Sequence, residues 1–262
     1  MSKLSKLIYK KGGGSSSPDF MEETKKRWTS KRKSGIICLC VLLVIVFLLS
    51  PVFDVKQILV NGNVKTTAES IISASGIVEG ASIFKVNTGK SEKRLTTMAF
   101  VDAVQVKLKF PSTVEINITE SKEAAYIYFI GNYVGIDENG KILEIKQKDD
   151  EISLPVIIGT DITEFGIGNY IKTDDEQKQE VIYKLIKQIS STGIAAMIKT
   201  IDVSDLNDIR FFTVSEATVT IGTMDDIIYK VSFLKKILEE PGDKRGAVID
   251  MTNTEKVTFT GS

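Results

Sequence analysis

The sequence predicts an α+β protein in which a single transmembrane helix precedes a β-α-α-β-β domain and a second domain with a mixed α/β sheet. Three observations lead to this prediction. Residues 35–49 are apolar without interruption, and residues 103–118 alternate between apolar and polar side chains. The second half of the chain mixes short β-branched runs with two amphipathic helical stretches.

The apolar run is the candidate membrane span. A hydrocarbon core needs about 20 helical residues, so the run reaches the required length if residues 50–53 complete it. A cleaved signal peptide would have a similar apolar core. However, the preceding region is long, no small-x-small cleavage pattern follows Leu49, and Pro51 lies where cleavage would fall. We therefore predict an uncleaved span over residues 35–53.

The charge is distributed unevenly along the chain. The whole sequence holds 34 basic and 34 acidic residues, but residues 1–34 hold ten Lys or Arg against three acidic residues. Positive charge beside a span stays in the cytoplasm. Lys31, Arg32 and Lys33 therefore predict a single-pass protein of the cell membrane with a cytoplasmic N-terminus and extracytoplasmic C-terminal domains. The same charges also suit contact with anionic lipid.

Residues 1–34 are predicted to form a basic, largely disordered cytoplasmic tail. Its sequence GGGSSSP at residues 12–18 has the composition of a flexible linker, and we expect disorder over residues 1–25. Both cysteines, Cys38 and Cys40, fall inside the span, so the outer part of the chain has no cysteine with which to form a disulfide.

The first outer domain is predicted over residues 54–123. Asn61-Gly62-Asn63 marks a turn, Thr66 or Thr67 suits the N-cap of a helix, and Gly76 suits its C-terminal end. Pro111-Ser112 turns the chain between two alternating segments, which predicts a β-hairpin. The expected strands are 55–60, 103–110 and 114–118, and the expected helices are 66–75 and 88–97.

The second outer domain is predicted over residues 124–262. Asn139-Gly140 indicates a hairpin in which both residues adopt positive φ. The expected strands are 126–136, 141–145, 156–158, 198–203, 210–214, 217–221, 247–251 and 256–260. The expected helices are 174–191 and 225–239, the first with an apolar stripe of Val181, Ile182, Leu185, Ile186 and Ile189.

The composition removes several kinds of chemistry. The chain has no histidine and no cysteine outside the span, which excludes Ser-His-Asp and Cys-His catalysis and histidine metal sites. Ser82 and Lys85 match the S-x-x-K string of penicillin-binding enzymes. The partner triplets S-D-N and K-T-G are absent, and Ser232 and Lys235 match the same string. We expect no catalytic residue, although an S-x-x-K enzyme stays an open alternative.

Binding of small ions and nucleic acid is also not expected. Asp137-x-Asn139 begins like a calcium loop, but Lys141 occupies the next ligand position, and a hairpin turn explains these residues. The acidic outer region does not suit nucleic acid, which selects a basic face. We therefore predict no cofactor, no metal, no nucleic acid and no small-molecule substrate.

The order of these elements resembles a known family. A basic tail, one span, a β-α-α-β-β unit and a sheet domain that ends in a strand are similar to the bacterial cell division family FtsQ/DivIB. The first unit resembles its POTRA domain through residues 55–63, 66–71, 80–84 and 103–120, and the second resembles its β domain through residues 133–143, 154–159, 229–238 and 248–251.

Two segments depart from the family pattern. Where members often read Glu-Arg-x-Pro-x-Ala, this chain has Glu120-Ser121-Lys122-Glu123-Ala124-Ala125, so the Arg and Pro are missing. A stretch similar to Asp-Leu-Arg-Tyr is here Asp250-Met251-Thr252-Asn253. The first departure affects the junction of the two domains. The second affects the region that binds a partner in the family.

The resemblance implies a non-enzymatic scaffold of the divisome. Such a protein would sit at the division septum and bind two small single-span coiled-coil proteins, one FtsL-like and one FtsB/DivIC-like. Its expected partner-binding residues lie at the end of the chain, where an edge strand over 256–260 can pair with a partner strand. They are Asp250, Met251, Thr252, Asn253, Val257 and Phe259.

Besides the S-x-x-K enzyme, three alternatives stay open from the sequence. Alternation does not show whether Val257 and Phe259 face a partner or the domain core. Tyr126, Tyr128 and Tyr133 suit a groove of an extracytoplasmic sensor that binds peptide or peptidoglycan. A relative that acts at the sporulation septum would have the same sequence features.

Overall fold

The computed structural model describes residues 19–164, 166–254 and 256–260, and for residues 19–32 it describes the backbone only. The chain divides into two compact units, the first ending at Asp54 and the second beginning at Val55. In the first unit, helix α1 spans Asp19–Leu48. Within the described part of the chain, no helix combines the length and the apolarity of a membrane span.

Helix α1 begins earlier than the sequence analysis expected. The prediction of disorder for residues 1–25 is wrong from Asp19 onward, because the backbone there is helical, and residues 1–18 lie outside the described range. Met21, Glu22, Glu23 and Lys25 in this stretch are good helix formers. At the other end, Pro51 begins a 3-10 turn over Pro51–Phe53, which Ser50 caps. Cys38 and Cys40 are exposed free thiols.

The second unit opens with a β-α-α-β-β arrangement, as predicted. Its elements are β1 (Gln57–Asn61), α2 (Ala68–Ser75), α3 (Thr88–Leu95), β2 (Val101–Lys109) and β3 (Thr113–Glu120). The three strands form a sheet in the order β1-β3-β2, hereafter the small sheet. The hairpin of β2 and β3 is antiparallel, and β1 runs parallel to β3.

Local sequence explains the ends of these elements. Thr67 is the N-cap of α2 and accepts a hydrogen bond from the amide of Ser70, and Gly76 ends the helix in the left-handed conformation with φ 68°. Asn87 caps α3 in the same way. Apolar side chains on one face of the small sheet pack against α2 and α3. The buried residues of the sheet are Ile58, Val106, Val114, Ile116 and Ile118, and those of the helices and the turn between them include Ile71, Ile83 and Leu95.

The remaining chain forms a nine-stranded mixed sheet, hereafter the large sheet. Its strands are β4 (Ala125–Phe129), β5 (Asn132–Ile136), β6 (Ile142–Gln147), β7 (Val156–Ile158), β10 (Ile198–Asp202), β11 (Ile209–Thr213), β12 (Thr218–Gly222), β13 (Val248–Asp250) and β14 (Thr258–Thr260). They lie in the order β14-β13-β12-β11-β10-β7-β4-β5-β6. A two-stranded ribbon, β8 (Ile162–Glu164) with β9 (Lys172–Thr173), was not predicted.

Two helices, α4 (Glu176–Thr192) and α5 (Ile227–Glu239), cover one face of the large sheet. Four of the five residues predicted as the apolar stripe of α4 are buried, and Val181 is partly buried against the same core. Asp175 caps the helix, and Gly193 ends it at φ 75°.

Two turns differ from the sequence expectation. The predicted strand over 126–136 is split, because Ile130 and Gly131 both adopt positive φ and form a tight hairpin between β4 and β5. The next hairpin lies where it was predicted, but of its Asn139-Gly140 pair only Gly140 has positive φ. The Asp137 carboxylate accepts hydrogen bonds from the amides of Asn139 and Lys141 and holds this turn.

The small and large sheets are joined by a buried lysine. Lys141 lies at the start of β6 and is only 4% exposed. Its ammonium donates to the carbonyl oxygens of Thr96 at 2.9 Å, Met98 at 2.7 Å and Val101 at 2.6 Å. Three bonds satisfy all three donors of an ammonium group. Lys141 therefore attaches the large sheet to the segment that runs from the end of α3 to the start of β2.

Further contacts at this joint use the segment that departs from the family pattern. Ser121 donates from its hydroxyl to Asp137, and its amide bonds to Phe100. Glu123 forms an ion pair with Lys65. Burial raises the pKa of Glu123, but the hydrogen bond and charge of Lys65, a backbone hydrogen bond and the charge of Lys146 together outweigh it, so the pKa is lowered overall. These contacts connect the two sheets without the Arg of the family pattern.

Candidate partner-binding surface

The last strand of the chain forms one edge of the large sheet. Strand β14 pairs antiparallel with β13, and the facing pairs are Val248 with Thr260, Ile249 with Phe259 and Asp250 with Thr258. Among the described residues, no strand pairs with the outer edge of β14. The observed strand begins at Thr258, two residues later than predicted. A free sheet edge presents backbone donors and acceptors to another chain.

The register places Phe259 on the helix-covered face. Ile249 faces Phe259, Val219 faces Ile249, and Phe211 faces Val219, so these side chains form one row across the sheet. Phe211, Val219 and Ile249 are buried, whereas Phe259 at the sheet edge is 53% exposed. Neither simple alternative holds: Phe259 lies on the core side of the sheet and is still accessible from outside.

A groove of about 430 Å³ lies beside this strand. Val257 is partly buried and packs against the core, and Phe259 lines the same groove. Phe233 and Ile237 of α5 form the helical wall. The remaining lining comes from the chain after α5: Glu240, Pro241, Gly242, Asp243 and Lys244. An apolar side chain that entered here would contact aromatic and aliphatic carbon on both sides.

The segment before the edge strand is a turn with one buried residue. The Asp250 carboxylate accepts from the Thr252 amide at 2.9 Å and from its hydroxyl at 2.7 Å. These two hydrogen bonds lower the pKa of Asp250. Met251 is fully buried in the core, so its side chain does not form part of a surface. Met251 was expected among the partner-binding residues, and its side chain belongs to the core, whereas Thr252 and Asn253 are exposed.

A second buried lysine supports this turn, and sequence reasoning missed it. Lys230 lies on α5, is 2% exposed, and donates to the carbonyl oxygens of Ile221 at 2.9 Å and Thr223 at 3.2 Å. These bonds hold the loop after β12. Gly222, the last residue of β12, has φ +71°, and an added Cβ would come within 3.1 Å of the Thr252 methyl group. The one available signal is a lysine next to Val231 in the apolar stripe of α5.

The tyrosines predicted for an alternative groove separate into two environments. Tyr126 is buried and donates its hydroxyl to Glu144 at 2.7 Å, and burial raises its pKa. Tyr128 and Tyr133 are more accessible, and their ring centroids lie 5.5 Å apart. Both line an open groove of about 660 Å³ on the face of the large sheet opposite the helices.

The two S-x-x-K strings lie in separate elements, one in a 3-10 turn and one on α5. Ser82 precedes a 3-10 turn over Ile83–Lys85 and makes no capping hydrogen bond with its side chain. Ser232 donates to the carbonyl of Ile228 at 2.6 Å, and Lys235 donates to the carbonyl of Thr192. In the described part of the chain, no group of three or more acidic, His or Cys side chains suits a metal ion. Of the topology residues, Lys33 is exposed, and the side chains of Lys31 and Arg32 lie outside the described set.

Two family models match this chain, one over each sheet. The model of the POTRA domain, FtsQ-type, matches residues 53–121, which hold the small sheet. The model of the cell division protein FtsQ/DivIB, C-terminal, matches residues 125–252, which hold most of the large sheet. The chain belongs to the FtsQ/DivIB family.

Curated relatives carry the name cell division protein DivIB. The protein from Clostridium acetobutylicum is 29% identical over 215 residues, which cover 80% of this chain and 84% of the relative. The one from Clostridium botulinum strain Loch Maree is 25% identical over 228 residues, covering 86% and 88%. The one from Geobacillus kaustophilus is 34% identical over 125 residues, covering 47% and 46%.

The family match ends before the edge strand. The FtsQ/DivIB C-terminal model stops at residue 252, so Asn253, Val257 and Phe259 lie beyond it. The edge strand β14 therefore lies outside the family match, whereas the α5 side of the groove lies inside it.

Proposed function

We propose that this chain is a non-enzymatic scaffold of the bacterial divisome that stands at the division septum and binds small single-span coiled-coil proteins. One of these would be FtsL-like and the other FtsB/DivIC-like. Membership of a cell division family supports this proposal. The observation that carries it is the free edge of β14 beside an apolar groove, because this arrangement suits addition of a partner strand.

The proposed domain organisation has four parts. Residues 1–34 form the cytoplasmic tail, 35–53 the membrane span, 54–123 the POTRA-like domain and 124–262 the β domain. The span is supported by large apolar side chains that are exposed around the whole circumference of α1, an arrangement typical of a helix surrounded by lipid. They are Ile36, Ile37, Leu39, Val41, Leu42, Leu43, Val44, Ile45, Val46, Phe47 and Leu48.

The proposed binding mechanism is strand addition with a side-chain anchor. A partner strand that pairs with β14 gains backbone hydrogen bonds, which are largely independent of sequence. Phe259 and Val257 then supply apolar contact at the groove. Such buried aromatic anchors contribute a large share of binding energy at many interfaces. Selectivity for one partner would come from the side chain that fills the groove.

The substitution Phe259→Asp tests this mechanism in the tagged full-length chain, crosslinked during division in a related bacterium. We expect the parent protein to capture small coiled-coil division proteins and the variant to lose them. Val248→Asp is the matched control, since Val248 is exposed at the neighbouring strand on the opposite face of the sheet. Both variants should keep the parent circular dichroism spectrum. Equal capture by the parent and Phe259→Asp would contradict the mechanism.

A second candidate function rests on the Tyr128–Tyr133 groove. Two tilted aromatic rings on an open sheet face suit stacking against an extended peptide or a sugar. This would make the β domain a sensor of peptidoglycan fragments. Titration with soluble muropeptides, monitored by changes at Tyr128 and Tyr133 in NMR spectra, separates it from the scaffold function.

A further inference from the structure

The Val55 end of the small sheet carries an exposed aromatic pair. Phe84 is 50% exposed and Phe110 is 58% exposed, and their ring centroids lie 5.6 Å apart. Phe84 is in the 3-10 turn that precedes α3, and Phe110 directly follows β2. Two large aromatic side chains this exposed form an apolar patch on the surface of the unit.

Backbone hydrogen bonds hold this pair beside the point where the chain enters the unit. The amide of Val55 donates to Ala81 at 2.8 Å, and the amide of Gly80 donates to Val55 at 2.8 Å. The amide of Lys56 donates to Ser112 at 2.8 Å. The loop that leads to Phe84 and the turn that follows Phe110 are thus both attached to the first two residues of the unit.

We propose that the Phe84–Phe110 pair inserts into the interfacial layer of the bilayer and seats the small sheet on the membrane surface. This inference rests on the proposed membrane span. With residues 35–53 in the bilayer, only Asp54 separates the span from Val55, so chain connectivity keeps Val55 within about 7 Å of the boundary. Aromatic side chains are favoured at this depth.

The charged residues near the Phe84–Phe110 pair are of both signs. Lys85 follows Phe84 and Lys109 precedes Phe110, which suits long cationic side chains that extend from an inserted apolar ring toward the headgroups. Acidic residues are equally present. Lys109 is paired with Glu115 at 3.1 Å, Asp54 directly precedes Val55, and Glu79 directly precedes Gly80. The attachment is therefore apolar, and high salt should leave it unchanged.

Membrane contact at one end of the small sheet would also orient the large sheet, which is attached to the other end. Lys141 joins that end to the large sheet through the carbonyl oxygens of Thr96, Met98 and Val101. A small sheet held at the bilayer by both the chain and the aromatic pair would set the height and direction of the large sheet. The partner-binding edge would then be presented at a fixed distance from the membrane.

Tryptophan fluorescence in vesicles tests the proposal with the full chain. Trp28 is the single tryptophan, so Phe110→Trp or Phe84→Trp is introduced into a Trp28→Phe background. The protein is reconstituted in phosphatidylcholine and phosphatidylglycerol vesicles, with and without lipids brominated near the headgroup end of the acyl chains. Tyr229→Trp, at an exposed site on α5, is the control.

We expect blue-shifted emission and loss of intensity in brominated vesicles for Phe84→Trp and Phe110→Trp, in low and high salt alike, but not for Tyr229→Trp. Emission that all three variants keep unquenched would overturn the proposal. A change that appears only on adding a small division protein would also overturn it, because the patch would then belong to that partner. Flotation after an alkaline carbonate wash checks the span separately: a chain that floats without quenching refutes the surface contact alone.

Discussion

Ile249 and Phe259 face each other across the last strand pair of the large sheet, yet Ile249 is buried and Phe259 is 53% exposed. The same row of the sheet therefore changes from core to surface within one strand spacing. Strand β14 extends the core row toward the groove at the end of α5. This is what allows one aromatic residue to belong to the fold and still be available to a partner.

The first prediction separates these two environments with matched alanine substitutions. Ile249→Ala should lower the free energy of unfolding by about 2–5 kcal/mol, because it leaves a cavity in the core. Phe259→Ala should lower it by about 1 kcal/mol or less, as expected for a largely exposed side chain. It should weaken partner binding by about 2 kcal/mol, or roughly 30-fold. Urea unfolding and a quantitative pull-down measure the two effects, and a large unfolding effect for Phe259→Ala would assign it to the core.

The second prediction concerns the joint. Lys141→Met keeps the length of the side chain but leaves the carbonyl oxygens of Thr96, Met98 and Val101 without their donor. Each unsatisfied buried group costs about 1–3 kcal/mol, so we expect a loss of about 2–4 kcal/mol with partial rehydration of the joint. Lys122→Met, at an exposed site beside the joint, is the control. Denaturant unfolding of the full chain in micelles gives both values, and equal stability of the two variants would contradict the role of Lys141.

The third prediction is that Lys230→Met has a smaller effect than Lys141→Met. Lys230 makes two hydrogen bonds, to Ile221 and Thr223, and no ion pair of the described residues includes it. Lys230→Met leaves two carbonyl oxygens without their donor instead of three, and the Thr223 carbonyl is only part-buried, so water can replace part of the lost hydrogen bonding. We expect a net loss of about 1–2 kcal/mol and faster amide exchange in residues 222–226. A global loss above that of Lys141→Met would refute this order.

Much of the fold follows from local sequence signals. Thr67, Gly76, Asp175 and Gly193 mark helix ends in the structure because a capping oxygen or a left-handed glycine is required at those positions. The alternation in β2 and β3 also predicts their hairpin. The split between β4 and β5 was missed because Ile130, a β-branched residue, adopts φ 46°, which such residues seldom do.

The candidate partner-binding surface was harder to predict from the sequence than the fold. Alternation places Val257 and Phe259 on one face but does not say which face α5 covers, because that depends on the register of nine strands. Met251 directly follows β13 and continues the buried face of Ile249, because side chains two residues apart in a strand point to the same side. Lys141 and Lys230 read as ordinary polar residues. Lys141 binds carbonyl oxygens that are distant in the chain. Lys230 binds carbonyl oxygens at the end of β12 and in the loop that leads back to α5.

The last prediction concerns the pH dependence of the turn before the edge strand. Hydrogen bonds from Thr252 lower the pKa of Asp250, so the ionised form is favoured in the folded chain. The resulting stabilisation is complete above the unfolded pKa of about 3.9 and is lost as the pH falls through the lower folded pKa.

Thr252→Val removes the hydroxyl donor but keeps the amide donor, so the pKa of Asp250 should rise part of the way toward its ordinary value. The acid loss of the turn should then begin at a higher pH. Carboxyl carbon chemical shifts, followed by NMR during an acid titration, report Asp250 directly. Asp243 is the internal control, because Arg245 lowers its pKa independently of Thr252. An unchanged Asp250 titration in the variant would show that the amide of Thr252 alone sets the charge state of this turn.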